Sequence, residues 1–305
     1  MYGAWSSVFA LGKIALEKSP PLFLTGVRMV FGAALLLGLL LIKNRSLLKI
    51  RKRHLLPLAA FAIFSIYLTN ILEFWGLQHL TAAKTCFIYS LSPLFSVLFS
   101  YLHFREKMTV KKSIGMGIGL AGLIPILALK TGDESFFHAF GVFSWPELAV
   151  MGAVLFSVYG WVLLRLLVKN QELSPLYVNG YGMLFGGTLA LIHSALVDPW
   201  TPFPVAKGDG TSFIQGTLLM TLISNGLCYN LYGYLLKRYT ATFLSFMGLL
   251  SPIFASLSGW ILLGETPSWE MFLSTPIVSV GLFLVHQAEL GQGYILKKKS
   301  AVTKT

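Results

Sequence analysis

Long apolar segments with almost no charge dominate this sequence. Of its 305 residues, 55% are hydrophobic and only 12% are charged, whereas soluble domains carry about a quarter charged residues. A helix needs about 20 apolar residues to cross the core of a bilayer. We therefore predict an all-α polytopic membrane protein with ten transmembrane helices, near residues 1–17, 22–42, 55–74, 81–103, 110–129, 147–167, 175–197, 213–235, 241–263 and 268–288.

The basic residues are concentrated on one side of these predicted spans. Of the 24 lysine and arginine residues, 18 lie in the connections that follow the even-numbered spans or in the carboxyl-terminal tail. Because basic residues are retained on the cytoplasmic side, we predict cytoplasmic amino and carboxyl ends in the cell (inner) membrane. The net charge of +12 therefore indicates orientation in a lipid bilayer and predicts no nucleic-acid partner.

The second half of the chain repeats the first. A shift of 159 residues places Pro93 on Pro252 and Glu106 on Glu265, and a shift of 154 residues aligns the segments upstream. Five spans in each copy make the second copy enter the membrane from the opposite side. Such inverted repeats are typical of secondary transporters, which bind substrate near the membrane midplane between the halves.

This repeat predicts the division of the chain. Twelve residues precede Tyr159 in the second copy, whereas only Met1 precedes the matching Tyr2 in the first, so the first helix is short. We expect a start upstream of Met1; the alternative is a short helix around which the bilayer thins. The predicted units are a first repeat at 1–130, a second repeat at 147–288 and a basic cytoplasmic tail at 289–305.

Several short motifs carry a family resemblance. A Pro-Pro turn precedes Arg28, a Thr-Ala-Ala segment leads to Ser92-Pro93, and an Arg-Glu pair ends at Glu106; Ser251 and Glu265 continue the pattern in the second copy. This layout resembles the ten-helix EamA-like members of the drug/metabolite transporter superfamily over essentially the whole chain. The resemblance implies a secondary transporter of small organic metabolites that works by alternating access.

Within that family, the chain most resembles S-adenosylmethionine/S-adenosylhomocysteine exchangers of intracellular bacteria, which implies antiport of these metabolites. The alternative is a proton-coupled exporter of amino acids or cationic drugs. A small multidrug antiporter of the superfamily exchanges drug for protons on a carboxylate in the middle of its first helix, whereas this first helix has only Glu17, at its outer end. That difference favours exchange of one organic solute for another.

Polar side chains recur on the third and eighth predicted spans. Tyr67, Asn70 and Glu73 follow helical spacing on the third span. The shift of 159 residues matches Asn70 with Tyr229 and Glu73 with Tyr232. Two such faces at matched positions are what a midplane site between inverted halves requires. The candidate substrate-binding residues are Tyr67, Asn70, Glu73, Asn225, Tyr229, Tyr232, Arg28, Lys84 and Trp5.

Each of these residue types has a chemical role available to it. A carboxylate such as Glu73 and aromatic rings can bind a sulfonium or an amine, and Arg28 or Lys84 can bind an α-carboxylate. Structural pairing of Arg28 is the equally weighted alternative. Tyrosine and tryptophan also concentrate at membrane interfaces, so an interfacial role remains open for the aromatic residues.

The remaining motifs predict structure rather than chemistry. The matched Pro93 and Pro252, and the matched Glu106 and Glu265, suggest a shared architectural role; the glutamates are expected to accept hydrogen bonds from amides at a neighbouring helix start. The histidines lack the spacing of a metal site, and we expect no cofactor. A membrane-embedded enzyme or a scaffold is the disfavoured alternative, because the chain has no recognisable catalytic set.

Overall fold

A computed structural model describes residues 1–43, 48–80, 85, 88–122, 124, 144–201, 203–205, 210–251, 253–254 and 269–294. Within these ranges the regular secondary structure is helical, without a β-strand. The helices are α1 (Tyr2–Leu16), α2 (Pro21–Lys43), α3 (Lys52–His79), α4 (Ser92–Phe104), α5 (Val110–Ala121), α6 (Trp145–Asn170), α7 (Pro175–Val197), α8 (210–235), α9 (Ala241–Leu250) and α10 (Trp269–Gly291).

Five of the described helices are long and apolar enough to cross a membrane. They are α2, α3, α6, α7 and the Phe272–Gly291 part of α10. This agrees with the predicted class of polytopic, all-α membrane protein. The spans predicted near 81–103, 110–129 and 241–263 extend into residues outside the described ranges.

Local sequence signals fix several helix ends. Ser144 and Glu147 form a capping box at the start of α6, in which the Glu147 carboxylate accepts a hydrogen bond from the Ser144 amide at 2.6 Å. Pro93 and Pro175 lie in the first turns of α4 and α7, where a missing amide proton costs nothing. Arg105 ends α4 in the left-handed conformation, with φ of 56°.

Three of the described helices contain a π-helical segment: α6 ends in one at Leu166–Asn170, and those of α3 and α8 lie at matching places. In α3 the segment covers Ala62–Leu68, and in α8 it covers Thr221–Cys228. The shift of 159 residues places Ala62 on Thr221. A π turn holds more residues than an α turn, so it changes the direction in which the following side chains point, and such segments are frequent at functional sites.

Reciprocal contacts hold α2 against α7. A Cβ atom on Gly26 would lie 2.6 Å from the Leu191 side chain, and one on Gly180 would lie 2.7 Å from Leu37. The shift of 154 residues matches Gly26 with Gly180 and Leu37 with Leu191. The leucine that contacts each glycine is thus the counterpart of the leucine that contacts the other glycine, which is the contact pattern of a two-fold related pair.

The same reciprocity holds α5 against α10. A Cβ atom on Gly122 would lie 2.9 Å from Val278, and one on Gly281 would lie 2.6 Å from the backbone of Gly119. The shift of 159 residues matches Gly119 with Val278 and Gly122 with Gly281. Close helix packing of this kind depends on small residues at the contact.

Buried ion pairs lie at one end of the bundle. Glu106, just after α4, pairs with Arg165 of α6 at 2.6 Å, and Lys112 of α5 pairs with Glu289 of α10 at 2.5 Å. Glu289 also accepts a hydrogen bond from Thr240, directly before α9. The structure therefore gives Glu106 a guanidinium partner instead of the backbone amides we expected.

Candidate substrate-binding cavity

A cavity lies among α1, α2, α3, α4, α6, α8 and α9. The empty space among its lining side chains, including the part that is open to the surroundings, amounts to about 920 Å³. Its lining residues are Tyr2, Trp5, Ser6, Val8, Arg28, Thr69, Asn70, Glu73, Tyr89, Ser92, Ser157, Val158, Trp161, Ser224, Tyr229, Tyr232, Ser245, Gly248 and Ser251.

One side of the cavity, the charged wall, consists of Arg28, Asn70, Glu73 and Tyr89. Arg28 is 2% exposed and donates a hydrogen bond to the side-chain oxygen of Asn70. Its guanidinium carbon also lies 4.8 Å from the centre of the Phe74 ring. The Tyr89 hydroxyl donates a hydrogen bond to Glu73 at 2.5 Å. The charged wall thus presents a cation and an anion to the same space.

The structure explains how Asn70 holds its position. Its side-chain nitrogen donates to the carbonyl of Ile66 at 2.8 Å, and that carbonyl belongs to the π-helical segment of α3. The amide therefore satisfies the irregular backbone with its nitrogen while its oxygen accepts from Arg28. This arrangement orients the guanidinium towards the cavity that both residues line.

The other side, the aromatic wall, consists of Trp5, Trp161, Tyr229 and Tyr232. The Trp161 ring centre lies 5.6 Å from that of Trp5, 5.3 Å from that of Tyr229 and 4.1 Å from that of Tyr232. The first two spacings lie within the range of favourable aromatic pairs, about 4.5–7 Å, and the third is closer than that range. The wall offers flat apolar surfaces that can stack on a planar ring or face a cation.

Tyr229 joins the two walls. Its ring belongs to the aromatic wall, 5.4 Å from Trp5, while its hydroxyl accepts a hydrogen bond from the Asn70 amide at 3.5 Å. Asn70 and Tyr229 are separated by the same 159 residues that relate the two copies of the sequence. The matched positions on α3 and α8 therefore meet directly in the cavity.

Of the nine candidate substrate-binding residues, the structure brings six together in this cavity. They are Trp5, Arg28, Asn70, Glu73, Tyr229 and Tyr232. Lys84 lies outside the described residues.

The two other candidates lie elsewhere. The Tyr67 hydroxyl meets a ring nitrogen of His193 on α7 at 2.8 Å, and the Asn225 amide faces the sulfur of Met29 at 3.0 Å. Tyr67 and Asn225 both belong to the π-helical segments. Ideal α-helical spacing predicts that they share a face with the cavity residues, but this spacing does not hold within a π-helical segment.

The described proline and glutamate of the matched motifs contact other parts of the protein and do not line the cavity. Pro93 is buried at the start of α4, and Glu106 is buried in its ion pair with Arg165. The Arg165 guanidinium also lies 4.3 Å from the centre of the Phe104 ring. Pro252 and Glu265 lie outside the described residues.

Sequence reasoning missed Tyr89 and the hydroxyl groups of the cavity. Tyr89 is matched with Gly248, so no repeated polar pair marks it, although both residues line the cavity. Ser92 and Ser251 belong to the matched motifs, and this match is the sequence signal that could have identified them as cavity residues. The serine residues that line the cavity are Ser6, Ser92, Ser157, Ser224, Ser245 and Ser251.

The described residues give no indication of a metal centre, because no three histidine, cysteine, aspartate or glutamate side chains cluster among them. The cavity is instead suited to an organic molecule with separate charged and apolar parts.

Comparison with known proteins assigns the chain to a family. The model of the EamA-like transporter family matches residues 3–128 and 144–287. A solved structure with 18% sequence identity has a TM-score of 0.72 and covers 95% of this chain and 97% of its own. That likeness shows a shared fold.

Curated relatives extend over the same length. A protein of Chlamydia trachomatis serovar L2 named S-adenosylmethionine/S-adenosylhomocysteine transporter is 41% identical over 96% of this chain and 88% of its own. A protein of the same name from Chlamydia muridarum is 39% identical over 97% of this chain and 92% of its own. The uncharacterized transporter YoaV of Bacillus subtilis is 26% identical over 92% of each chain. The chain therefore belongs to the EamA-like transporter family.

Proposed function

We propose that this protein exchanges S-adenosylmethionine for S-adenosylhomocysteine across the cell (inner) membrane by alternating access. The observation that carries the proposal is the cavity, which combines a buried guanidinium, a carboxylate and an aromatic wall. These groups occur in a chain that is 41% identical to a Chlamydia trachomatis protein named as a transporter of the same two metabolites.

The chemistry of the two metabolites fits the two walls. Each has an α-amino-acid group at one end and an adenine ring at the other. A guanidinium such as that of Arg28 binds carboxylates through charge-assisted hydrogen bonds. The rings of Trp5 and Trp161 provide stacking surfaces for adenine, and stacking of a base on an aromatic side chain is worth about 1–3 kcal/mol.

The proposal includes ten spans arranged as two inverted repeats, 1–130 and 147–288, with the tail 289–305 and both chain ends in the cytoplasm. The reciprocal contacts of Gly26 and Gly180 support it, because they are the contacts that a two-fold axis produces. The separate matches of the family model to residues 3–128 and 144–287 also support it. The basic connections support the orientation.

Alternating access gives the buried ion pairs a role. Glu106 and Arg165 join α4 to α6 at the end that we propose to be cytoplasmic. In this proposal these two side chains separate when the cavity opens to that side. Rocking of one half against the other then carries the bound metabolite across.

The test is uptake of radiolabelled S-adenosylmethionine by cells that express the chain. We expect saturable uptake that unlabelled S-adenosylhomocysteine competes away and that persists when the pH gradient is collapsed at constant membrane potential, because exchange of two solutes needs no proton gradient. Arg28→Gln should abolish uptake while the protein still inserts into the membrane.

Two results would contradict the proposal. The absence of uptake by correctly inserted wild-type protein would exclude S-adenosylmethionine as the substrate. Loss of uptake on collapse of the pH gradient at constant membrane potential would favour the proton-coupled alternative.

A further inference from the structure

We propose that Glu73 and Arg28 together bind the α-amino-acid group that both metabolites share, and that the substrate sulfur lies against the Tyr229 ring instead of the carboxylate. This inference rests on the proposed function. It names the groups that allow one site to accept two substrates of different charge.

Exchange imposes a requirement on the site. S-adenosylmethionine and S-adenosylhomocysteine differ by one methyl group and by the positive charge on the sulfonium. A buried carboxylate beside the sulfur would stabilise the sulfonium strongly and the neutral thioether little. Such a site would be filled by one partner and would release it poorly to the other. An exchanger is therefore expected to keep its carboxylate away from the sulfur.

The charged wall is complementary to a zwitterion. Arg28 donates a hydrogen bond to Asn70. Glu73 lies about one helical turn after Asn70 on α3. The Nε atom of Arg28 is buried and has no hydrogen-bond partner among the described residues. A substrate carboxylate supplies the acceptor that this atom lacks, and the adjacent ammonium group then faces Glu73.

Tyr229 is placed to meet the atom between the two ends of the substrate. Its hydroxyl reaches Asn70 in the charged wall, and its ring packs 5.3 Å from that of Trp161 in the aromatic wall. An uncharged ring attracts a sulfonium through its π face, and it also makes favourable contacts with a neutral thioether sulfur. Tyr229 can therefore neighbour the sulfur in both substrates.

The experiment compares three ligands on purified full-length protein. They are S-adenosylmethionine, S-adenosylhomocysteine and 5′-methylthioadenosine, a nucleoside thioether that lacks the amino-acid group. For Glu73→Gln we expect the dissociation constants of the first two to rise by the same factor, about tenfold, as is usual for loss of a charge-assisted hydrogen bond. Binding of 5′-methylthioadenosine should not change.

Two further variants keep the result interpretable. Arg28→Gln should raise the dissociation constants of the same two metabolites and leave that of 5′-methylthioadenosine unchanged. It serves as the test variant if Glu73→Gln does not fold. Trp161→Ala should instead weaken all three ligands, because each carries the adenine ring.

The outcomes separate this inference from the proposed function. If Glu73→Gln weakens S-adenosylmethionine far more than S-adenosylhomocysteine, or changes neither, the inference is wrong while the proposed function stands. If the folded wild-type protein binds neither metabolite, the proposed function fails and the inference fails with it.

Discussion

The helix contacts and the cavity use matched positions of the repeated sequence in opposite ways. Where α2 packs on α7, the matched positions have kept the same residues: Gly26 and Gly180 are both glycine, and Leu37 and Leu191 are both leucine. In the cavity Ser92 and Ser251 are matched and both serine, but the matched positions that form the two walls have diverged. Asn70 is matched with Tyr229, Glu73 with Tyr232, and Tyr89 with Gly248.

The difference has a physical reason. A two-fold contact needs a surface that fits a copy of itself, so each side constrains the other. A substrate with a zwitterion at one end and a flat ring at the other has no such symmetry. The walls that bind it must differ, and the charged wall and the aromatic wall do.

The largest effect is expected from breaking the symmetric contact. Gly26→Val would place its Cβ atom 2.6 Å from the Leu191 side chain and 3.0 Å from the Leu191 backbone nitrogen. Overpacking of this kind costs about 1–3 kcal/mol or more, so we expect a marked drop in thermal stability in detergent. Gly38→Val on the same helix is the control, since its Cβ atom would meet nothing within 4 Å. Equal stability of the two variants would contradict the packing.

The second effect concerns the aromatic wall. Trp161→Ala removes a ring that contacts Trp5, Tyr229 and Tyr232. We expect the half-saturating substrate concentration of uptake to rise about tenfold, since one stacked ring is worth about 1–3 kcal/mol. Trp145→Ala is the matched control, because Trp145 lies on the same helix and is 79% exposed. A similar change in both variants would contradict a role of the aromatic wall in substrate binding.

The smallest effect concerns the support of the charged wall. Tyr89→Phe removes the hydroxyl that donates to Glu73, and loss of one hydrogen bond costs about 1 kcal/mol. We expect uptake to fall severalfold without a change in membrane insertion. Tyr101→Phe alters an exposed tyrosine of α4 and should leave uptake unchanged. If Tyr89→Phe also leaves uptake unchanged, Glu73 does not depend on Tyr89.

The sequence predicts the class of fold and much of the cavity because both follow from patterns that can be read in the sequence alone. Apolar length indicates the membrane helices, and the repeat identifies Asn70, Glu73, Tyr229 and Tyr232 as matched pairs. These four residues follow the π-helical segments, where ordinary helical spacing applies again.

The remaining features depend on geometry that the sequence does not express. Tyr67 and Asn225 point away from the cavity because π-helical backbone carries them. The partner of Glu106 is Arg165, which is distant in sequence and outside the matched motifs. Tyr89 enters the cavity by its position just before α4, and no periodic pattern marks it.

The proposed site is one cavity that binds an asymmetric substrate between a charged wall and an aromatic wall. The most direct measurement is an experimental structure of the full-length protein with bound S-adenosylhomocysteine. We expect the carboxylate of the substrate to contact Arg28 and its ammonium group to contact Glu73. We expect the adenine ring to stack on Trp5 and Trp161. A substrate bound in the reverse orientation, or outside this cavity, would contradict the account.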